Sequence, residues 1–340
     1  MGRAHGEEMR STIGEGLGRW LDRIEAGTGL GGDAYVASFL AATDFMPAIE
    51  KFAPALLKEV RGIAEGAQQR FETMLAYQLM DEEWWYRTGV MHARKAVEAC
   101  SAVGVVRDGG TSIVAQNMDL PSYYDGTQVV LHLRPAGAPE ALVFAPAGMI
   151  GATGLNRDGV AVCCNELPQL SHRPSGLPVA CVMRGVLAQS TLGTAADWIR
   201  SVPHATGQNY LLGAPGVISN LEASPKQVCE LEATSALLMH TNHPLVNDDV
   251  DDKVAVQYES RSTTRARLDR LHANLDGLDG SVTVEDIQRT LSDREVPVCV
   301  PRGSRGMTLG SLVMELSADP VLHIAPGPPA DTPYTTLRFS

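Results

Sequence analysis

The sequence predicts an α+β protein, in which antiparallel strands are combined with segregated helices. Three observations support this class. The first hundred residues carry apolar side chains at helical spacing, strand-like segments begin at Cys100, and later helical patterns lie between groups of strands. We therefore expect a helical segment at residues 1–99 and a mixed segment at residues 100–340.

The N-terminal segment is predicted to form several helices that are interrupted by glycine and proline. Apolar residues recur every three or four positions in "EEMRSTIGEGLGRWLDRIEAG", "DAYVASFLAATDFMPAIEKF" and "PALLKEVRGIAEGAQQRFETMLAYQLMDEEWWYRTG". This spacing is typical of helices that bury one face.

The segment that starts at Cys100 opens with a predicted β-hairpin. Residues 101–106 are small or β-branched, "RDGG" supplies a turn, and "TSIVAQNMD" forms the returning strand. Further helices are predicted at 179–201, 262–275 and 284–291, the last with Thr283 as its N-cap. Strands are predicted in "QVVLHLRP", "EALVFAPAG", "GVAVCCNEL", "NYLLGAPG", "KQVCELEA", "SALLMHTN", "TLGSLVMEL" and "VLHIAPG".

Composition narrows the classes of partner. The 340 residues carry a formal net charge of −12 and a pI of about 5.2, which disfavours nucleic acids and anionic membranes as partners. No apolar run has the length of a membrane helix and the N-terminus lacks a signal-peptide core, so we expect a cytoplasmic protein. The six cysteines show no CxxC spacing and are expected to be reduced, and the acidic run "NDDVDD" is expected to be a solvated loop.

Cys100 is the candidate nucleophile, although a single cysteine is more often a buried structural residue. A papain-like site would pair it with His240 or His243, and Asn242 would orient the imidazole, but the papain signature is missing. A metal site at "HTNH" lacks the ligands of known motifs. Cleavage after Ala99 would instead give Cys100 a free α-amino group, whose pKa of about 7.7 to 8.0 suits a general base.

Seven sequence fragments resemble one known family. They are "GRAHGEEMR", "EVRGIAEGA", "AQNMDL", "GMIGATGLNRDGVAVCCNEL", "NYLLGAPGVISNLEASP", "HTNHPL" and "GSRGMTLGSLVMEL". In this order and near this spacing they resemble the isopenicillin N acyltransferase family of self-cleaving N-terminal nucleophile hydrolases, which is similar to choloylglycine hydrolases and acid ceramidase. The resemblance covers nearly the whole chain and implies an αββα sandwich of two antiparallel sheets.

The resemblance also implies roles for individual residues. Cys100 would be both the self-cleavage site, at the Ala99–Cys100 bond, and the catalytic nucleophile. Asp119 would hold the new α-amino group, and Asn242 would donate to the oxyanion. Residues that would line or support the site are Gln116, Asn117, Asn165, Ser224, Ser304 and Arg305.

Two departures from the family pattern are visible. The cut would fall in Ala99-Cys100-Ser101, where the family usually has Gly-Cys-Thr. Gln116 stands where choloylglycine-type relatives carry arginine, which disfavours a bile-acid-like substrate.

The resemblance implies a self-activating enzyme that hydrolyses a linear non-peptide amide, an N-acyl amine or N-acyl amino acid, through a thioester. Transfer of the acyl group to an amine is the alternative, and a non-catalytic small-molecule-binding protein is the alternative of another class. The partners expected are a small amide substrate and the associated light (1–99) and heavy (100–340) chains. A homo-oligomer is left open, and no cofactor or metal is expected.

Overall fold

Helices dominate the N-terminal segment, as predicted. The computed structural model describes residues 1–91, 100–232 and 236–340. Glycines on α1 and α5 let these two helices pack in backbone contact, since a Cβ on Gly6 would lie 2.3 Å from the Ile63 carbonyl oxygen. The helices of this segment are α1 (Gly2–Glu8), α2 (Arg10–Thr28), α3 (Gly32–Ala41), α4 (Met46–Phe52), α5 (Pro54–Ala67), α6 (Phe71–Gln78) and α7 (Met80–Met91).

The strands of the described residues form two antiparallel sheets. The first has the order β10-β1-β2-β11-β12-β13, with β1 (Ser101–Arg107), β2 (Thr111–Pro121), β10 (Leu237–His240), β11 (Gly306–Leu316), β12 (Val321–Ala325) and β13 (Thr335–Arg338). The second follows chain order, with β3 (Gln128–Leu133), β4 (Ala141–Pro146), β5 (Thr153–Asn156), β6 (Ala161–Glu166), β7 (Gln208–Ala214), β8 (Val217–Ala223) and β9 (Val228–Leu231). The predicted hairpin is confirmed as β1–β2, and both glycines of its turn have positive φ, 85° and 79°.

The two sheets lie face to face between layers of helices. Small residues allow the close approach: a Cβ on Gly213 of β7 would lie 2.4 Å from Val114 of β2. Helices α8 (Val179–Leu187) and α9 (Leu192–Ser201) contact the second sheet. Helices α11 (Thr264–Leu275) and α12 (Val284–Leu291) share an apolar cluster with the outer face of β1 and β2. The result is the αββα sandwich that the resemblance implied.

Several predicted elements need correction. The single helix expected at 179–201 is two helices, because the chain breaks before Thr191, whose hydroxyl caps α9 by accepting from the Thr194 N–H at 3.2 Å. The prediction missed β5, β8, β13 and α10 (Asp252–Glu259). The acidic run is not simply a solvated loop: Asn247 and Asp249 are buried, and Asp251 caps α10.

Two further observations concern the cysteines and the length of the apolar helices. All six cysteines are free, as predicted, and two of them, Cys164 and Cys229, are only half-buried. Within the described ranges, none of the helices combines the length and the apolar character that crossing a bilayer requires.

Candidate active site

Cys100 lies immediately before β1 and faces the partner strand β2. It is 7% exposed, and its Sγ is 4.0 Å from the backbone oxygen of Asp119. The pairing of Ser101 with Asn117 sets this approach, because it places the start of β1 beside the last residues of β2. The hairpin register therefore brings the Cys100 thiol to the backbone of Asp119, and both residues are predicted site residues.

Asp119 is a buried carboxylate with only part of its hydrogen-bonding capacity used. Its Oδ1 accepts from the Thr308 hydroxyl at 2.6 Å, and Thr308 is its register partner on β11. Its Oδ2 is buried and has no hydrogen-bond partner among the described residues. Burial raises the pKa of Asp119 to about 7, although the Thr308 hydrogen bond and the Arg267 charge oppose the shift. Asp119, whose backbone oxygen lies 4.0 Å from the Cys100 Sγ, thus keeps one buried acceptor unfilled.

Arg267 of α11 connects the remaining parts of the site. Its guanidinium is fully buried and donates to the Cys100 carbonyl oxygen at 2.6 Å and to the Ser101 hydroxyl at 2.9 Å. A third bond, 3.0 Å long, goes to Oδ1 of Asn242. Because all three acceptors surround one rigid fork, Arg267 fixes the Cys100 backbone and the Asn242 amide relative to each other.

Asn242 is held at both ends of its side chain. Its Nδ2 donates to the Glu166 backbone oxygen at 2.9 Å, and its backbone N–H donates to the Thr264 hydroxyl at 2.8 Å. Because Oδ1 of Asn242 accepts from Arg267, the orientation of the side-chain amide is determined, and Nδ2 faces Glu166 at the end of β6.

The neighbouring histidines support this loop. His240 faces the Thr241 carbonyl oxygen at 2.8 Å and the Glu222 carboxylate at 2.7 Å, so both ring nitrogens are engaged away from Cys100. His243 contacts Thr264, and its pKa is lowered to about 4, mainly by burial. These contacts favour a supporting role over the papain-like or metal-binding alternatives.

Three more of the predicted residues, Gln116 and Asn117 of β2 and Asn165 of β6, are buried in the sandwich. Gln116 hydrogen-bonds the Cys164 backbone oxygen and Thr153. Asn117 donates to the Leu291 and Val298 carbonyl oxygens, both at 2.7 Å, and so ties β2 to the end of α12. Asn165 accepts from Asn209 at 3.3 Å. They brace the strands that carry Cys100 and Asp119.

The other predicted residues that the structure describes are absent from the lining of the cavity that contains Cys100. Ser224 donates to Asp249 at 2.7 Å and accepts from the Lys226 N–H, in the turn after β8. Ser304 and Arg305 are exposed in the loop before β11. Ala99 lies outside the described residues.

A cavity opens beside Cys100, between the N-terminal helices and the sandwich. Besides Cys100 and Asp119, its polar lining includes Asp81 from α7 and Glu166 from β6. Sequence reasoning missed Asp81, Arg267 and Thr308 as members of the site. Thr308 was inside a family-like fragment, whereas no local signal distinguishes Arg267 from other arginines of a polar helix.

The arrangement of two facing antiparallel sheets between helices is the N-terminal nucleophile hydrolase fold. Solved structures share it: a mutant of the conjugated bile acid hydrolase from Clostridium perfringens has a TM-score of 0.51 at 13% identity and covers 71% of this chain and 92% of that one. A second variant of that hydrolase has a TM-score of 0.50 at 13% identity, over 71% of this chain and 97% of that one. At this identity the likeness shows the fold alone.

Sequence comparison identifies the family. Residues 106–325 match the family described as acyl-coenzyme A:6-aminopenicillanic acid acyl-transferase. The 40 kDa form of acyl-coenzyme A:6-aminopenicillanic-acid-acyltransferase from Emericella nidulans (strain FGSC A4) is 27% identical over 270 residues, which cover 77% of this chain and 72% of that protein. The chain belongs to this acyltransferase family, which confirms the resemblance, and it is an enzyme that acts on linear amides.

Proposed function

We propose that the chain is a self-processing cysteine amidase that hydrolyses a linear, non-peptide amide through a thioester on Cys100. The observation that carries the proposal is the buried, unfilled Oδ2 of Asp119, a residue whose backbone oxygen lies 4.0 Å from the Cys100 Sγ. A buried acceptor without a donor costs free energy, and an α-ammonium group at Cys100 would supply the donor. The two residues thus fit the processed enzyme better than an uncut chain.

Activation would begin with attack of the Cys100 thiolate on the Ala99 carbonyl carbon. The Ala99–Cys100 C–N bond breaks, the nitrogen takes up the thiol proton, and a thioester links the two residues. Water then hydrolyses the thioester, which leaves a carboxylate on Ala99 and a free thiol and α-amine on Cys100. Throughout, Arg267 would hold the Cys100 carbonyl oxygen and keep the start of β1 in place.

Turnover would use the same atoms. The α-amine accepts the thiol proton, the sulfur attacks the amide carbonyl, and the α-ammonium then protonates the departing amine. Nδ2 of Asn242 carries a second N–H besides the one that bonds Glu166, and this donor would stabilise the oxyanion. Water releases the acyl group as a carboxylic acid and regenerates the thiol.

The two processed chains would remain associated as one catalytic unit. A buried ion pair with N–O distances of 3.0 and 2.9 Å joins Glu59 of α5 to Arg184 of α8. His5 accepts from the Gly148 N–H at 3.1 Å, and Asp81 accepts from Gln208 at 2.6 Å. Because the Glu59–Arg184 and Asp81–Gln208 contacts are buried, separation of the chains would leave charges and donors without partners.

Acyl transfer to an amine is the second candidate. It is supported by the name of the relative from Emericella nidulans, and it needs the same nucleophile, base and oxyanion donor. The two activities differ only in whether water or an amine attacks the thioester. Product analysis with and without an added amine acceptor separates them.

Denaturing gel electrophoresis with intact mass spectrometry tests the proposal. The purified protein should yield fragments 1–99 and 100–340, and Cys100→Ala should stay uncut and inactive. Cys229→Ala, which removes a free cysteine in β9, is the matched control and should be cut like the parent. An intact single chain in active protein, or activity that survives in Cys100→Ala, contradicts the proposal.

A further inference from the structure

The loop between β4 and β5, residues 147–152, forms one wall of the active-site cavity. Its members Met149, Gly151 and Ala152 line that cavity. Residues 147–151 are buried, so their backbone N–H and C=O groups need partners within the protein. The partners of this loop therefore decide the shape of the wall.

Several of these partners come from helices of the light chain. Nε2 of His5 on α1 accepts from the Gly148 N–H at 3.1 Å. Gln78 of α6 donates to the Gly148 carbonyl oxygen at 2.9 Å and accepts from the Ile150 N–H at 2.8 Å. Side chains from the segment before the proposed cut thus hold the backbone of a loop that lies after it.

The next backbone group of the loop is held through an ion pair between the two chains. Arg184 of α8 donates to the Ile150 carbonyl oxygen at 2.6 Å. The same guanidinium binds Glu59 of α5 with N–O distances of 3.0 and 2.9 Å. Because the guanidinium is a rigid fork, Glu59 fixes the direction from which Arg184 contacts the loop.

These contacts give a role to sequence fragments that the catalytic residues leave unexplained. His5 is the histidine of "GRAHGEEMR", Glu59 begins "EVRGIAEGA", and Gly148 begins "GMIGATGLNRDGVAVCCNEL". His5 and Gly148 are 143 residues apart along the chain. Three distant fragments therefore converge on one wall of the active-site cavity.

The His5 contact depends on the protonation state of the imidazole. Nε2 accepts from the Gly148 N–H only while it carries no proton, because both ring nitrogens of an imidazolium are donors. Burial lowers the pKa of His5 from its ordinary value of 6.5. The charged groups that face the ring are Glu59 and Glu8, which oppose this shift, and Arg184, which adds to it. The hydrogen bond is thus formed at neutral pH and lost in acid.

We propose that His5 is a positioning residue of the enzyme, which acts through the Gly148 N–H to keep the wall at 147–152 in the shape that binds substrate. The light chain then sets the substrate affinity of a site whose nucleophile belongs to the heavy chain. The inference rests on the proposed role of Cys100 as the nucleophile. His5 is not among the described residues that line the cavity, so it should act on binding rather than on the chemical step.

Acylation of Cys100 by p-nitrophenyl butyrate tests this role in the processed protein. The adduct on the heavy chain is followed by mass spectrometry at increasing ester concentration, which gives a maximal rate constant and a half-saturating concentration. At pH 8, His5→Phe should raise the half-saturating concentration about fivefold, the equivalent of one hydrogen bond, and leave the maximal rate constant within about twofold. His5→Gln retains an acceptor at a similar reach and should behave like the wild type.

The pH dependence separates positioning from a purely structural role. As the pH falls from 8 to 5, the half-saturating concentration of the wild type should approach that of His5→Phe, whereas that of His5→Gln should stay low because an amide does not titrate. Ratios between proteins at the same pH cancel the ionisation of Cys100 itself. His272→Phe, the same change at an exposed position of α11, is the control and should match the wild type throughout.

Hydrogen exchange of residues 147–152 tests the loop without reference to the nucleophile. At pH 8 the Gly148 amide should exchange about tenfold faster in His5→Phe than in the wild type or in His5→Gln. If His5→Phe does not fold, the wild type and His5→Gln still decide the question, since parallel pH curves for these two proteins would contradict the inference.

The outcomes separate this inference from the proposed function. If no ester acylates the fragment that begins at Cys100, the nucleophile assignment is wrong and the inference falls with it. If Cys100 is acylated but His5→Phe changes neither the exchange of Gly148 nor the half-saturating concentration, His5 does not position the wall, while the nucleophile stands.

Discussion

Replacement of Asp119 by asparagine should stabilise the uncut protein at neutral and alkaline pH. In the folded protein, burial raises the pKa of Asp119 from 3.8 to about 7. A carboxyl group with a raised pKa binds its proton more tightly in the folded than in the unfolded chain, so stability falls as pH rises from about 4 to about 7. Above that range the carboxylate is ionised, buried and only half satisfied.

The size of the effect follows from the shift. A change of about three pKa units corresponds to about 4 kcal/mol in full, of which about 2.5 kcal/mol appears between pH 5 and pH 8. Asparagine has no charge to desolvate and still accepts from Thr308 through its oxygen. In the Cys100→Ala background, which we expect to remain uncut, Asp119→Asn should therefore remove about 2.5 kcal/mol of pH dependence from the free energy of unfolding.

Urea unfolding of the precursor near pH 5 and near pH 8 measures this difference. Asp22→Asn, the same change at an exposed position of α2, is the control and should leave the pH dependence of unfolding unchanged. In the cut enzyme the Cys100 α-ammonium should pair with Asp119 and weaken the effect. If Asp119→Asn and Asp22→Asn give the same pH dependence in the precursor, the buried carboxylate does not destabilise it and the reasoning fails.

Other substitutions probe contacts that position the site. Arg267→Lys retains the positive charge but loses the planar guanidinium and two of its charge-assisted hydrogen bonds. The rates of self-cleavage and kcat should therefore both fall about 100-fold. Cleavage time courses and turnover assays measure these rates, and wild-type values would show that the guanidinium is dispensable. Glu222→Gln removes the charge of a fully buried carboxylate that lies 2.7 Å from His240, and it should lower the free energy of unfolding by about 3 kcal/mol in urea titrations, whereas a loss below about 1 kcal/mol would indicate that the carboxylate contributes little. Gly6→Ala should lower the free energy of unfolding by about 1 to 3 kcal/mol, because the added methyl group would meet the α5 backbone. Gly18→Ala, whose methyl group would meet no atom within 4 Å, is the control and should stabilise α2 by up to about 1 kcal/mol. Equal effects of the two substitutions in thermal melts would contradict the close packing of α1 on α5.

Much of the fold was predictable because its signals are local. The α12 helix begins where predicted, since Thr283 and Asp286 form a capping box. The β1–β2 hairpin follows from its glycine turn and its β-branched strands. By contrast, the break between α8 and α9 has a weak local signal, and β13 has no apolar face of its own: its residues are mostly exposed and pair only because β12 offers a free edge.

The sequence by itself determined the family, the nucleophile candidate and the approach of Cys100 to the end of β2, because a hairpin register relates two positions that are close along the chain. Only the tertiary structure brought in Arg267, which lies on a helix 167 residues away and contacts the Cys100 carbonyl oxygen. It also left Ser304 exposed in the loop before β11. Contacts between residues this far apart depend on how layers pack, and neither local propensity nor hydrophobic periodicity carries that information.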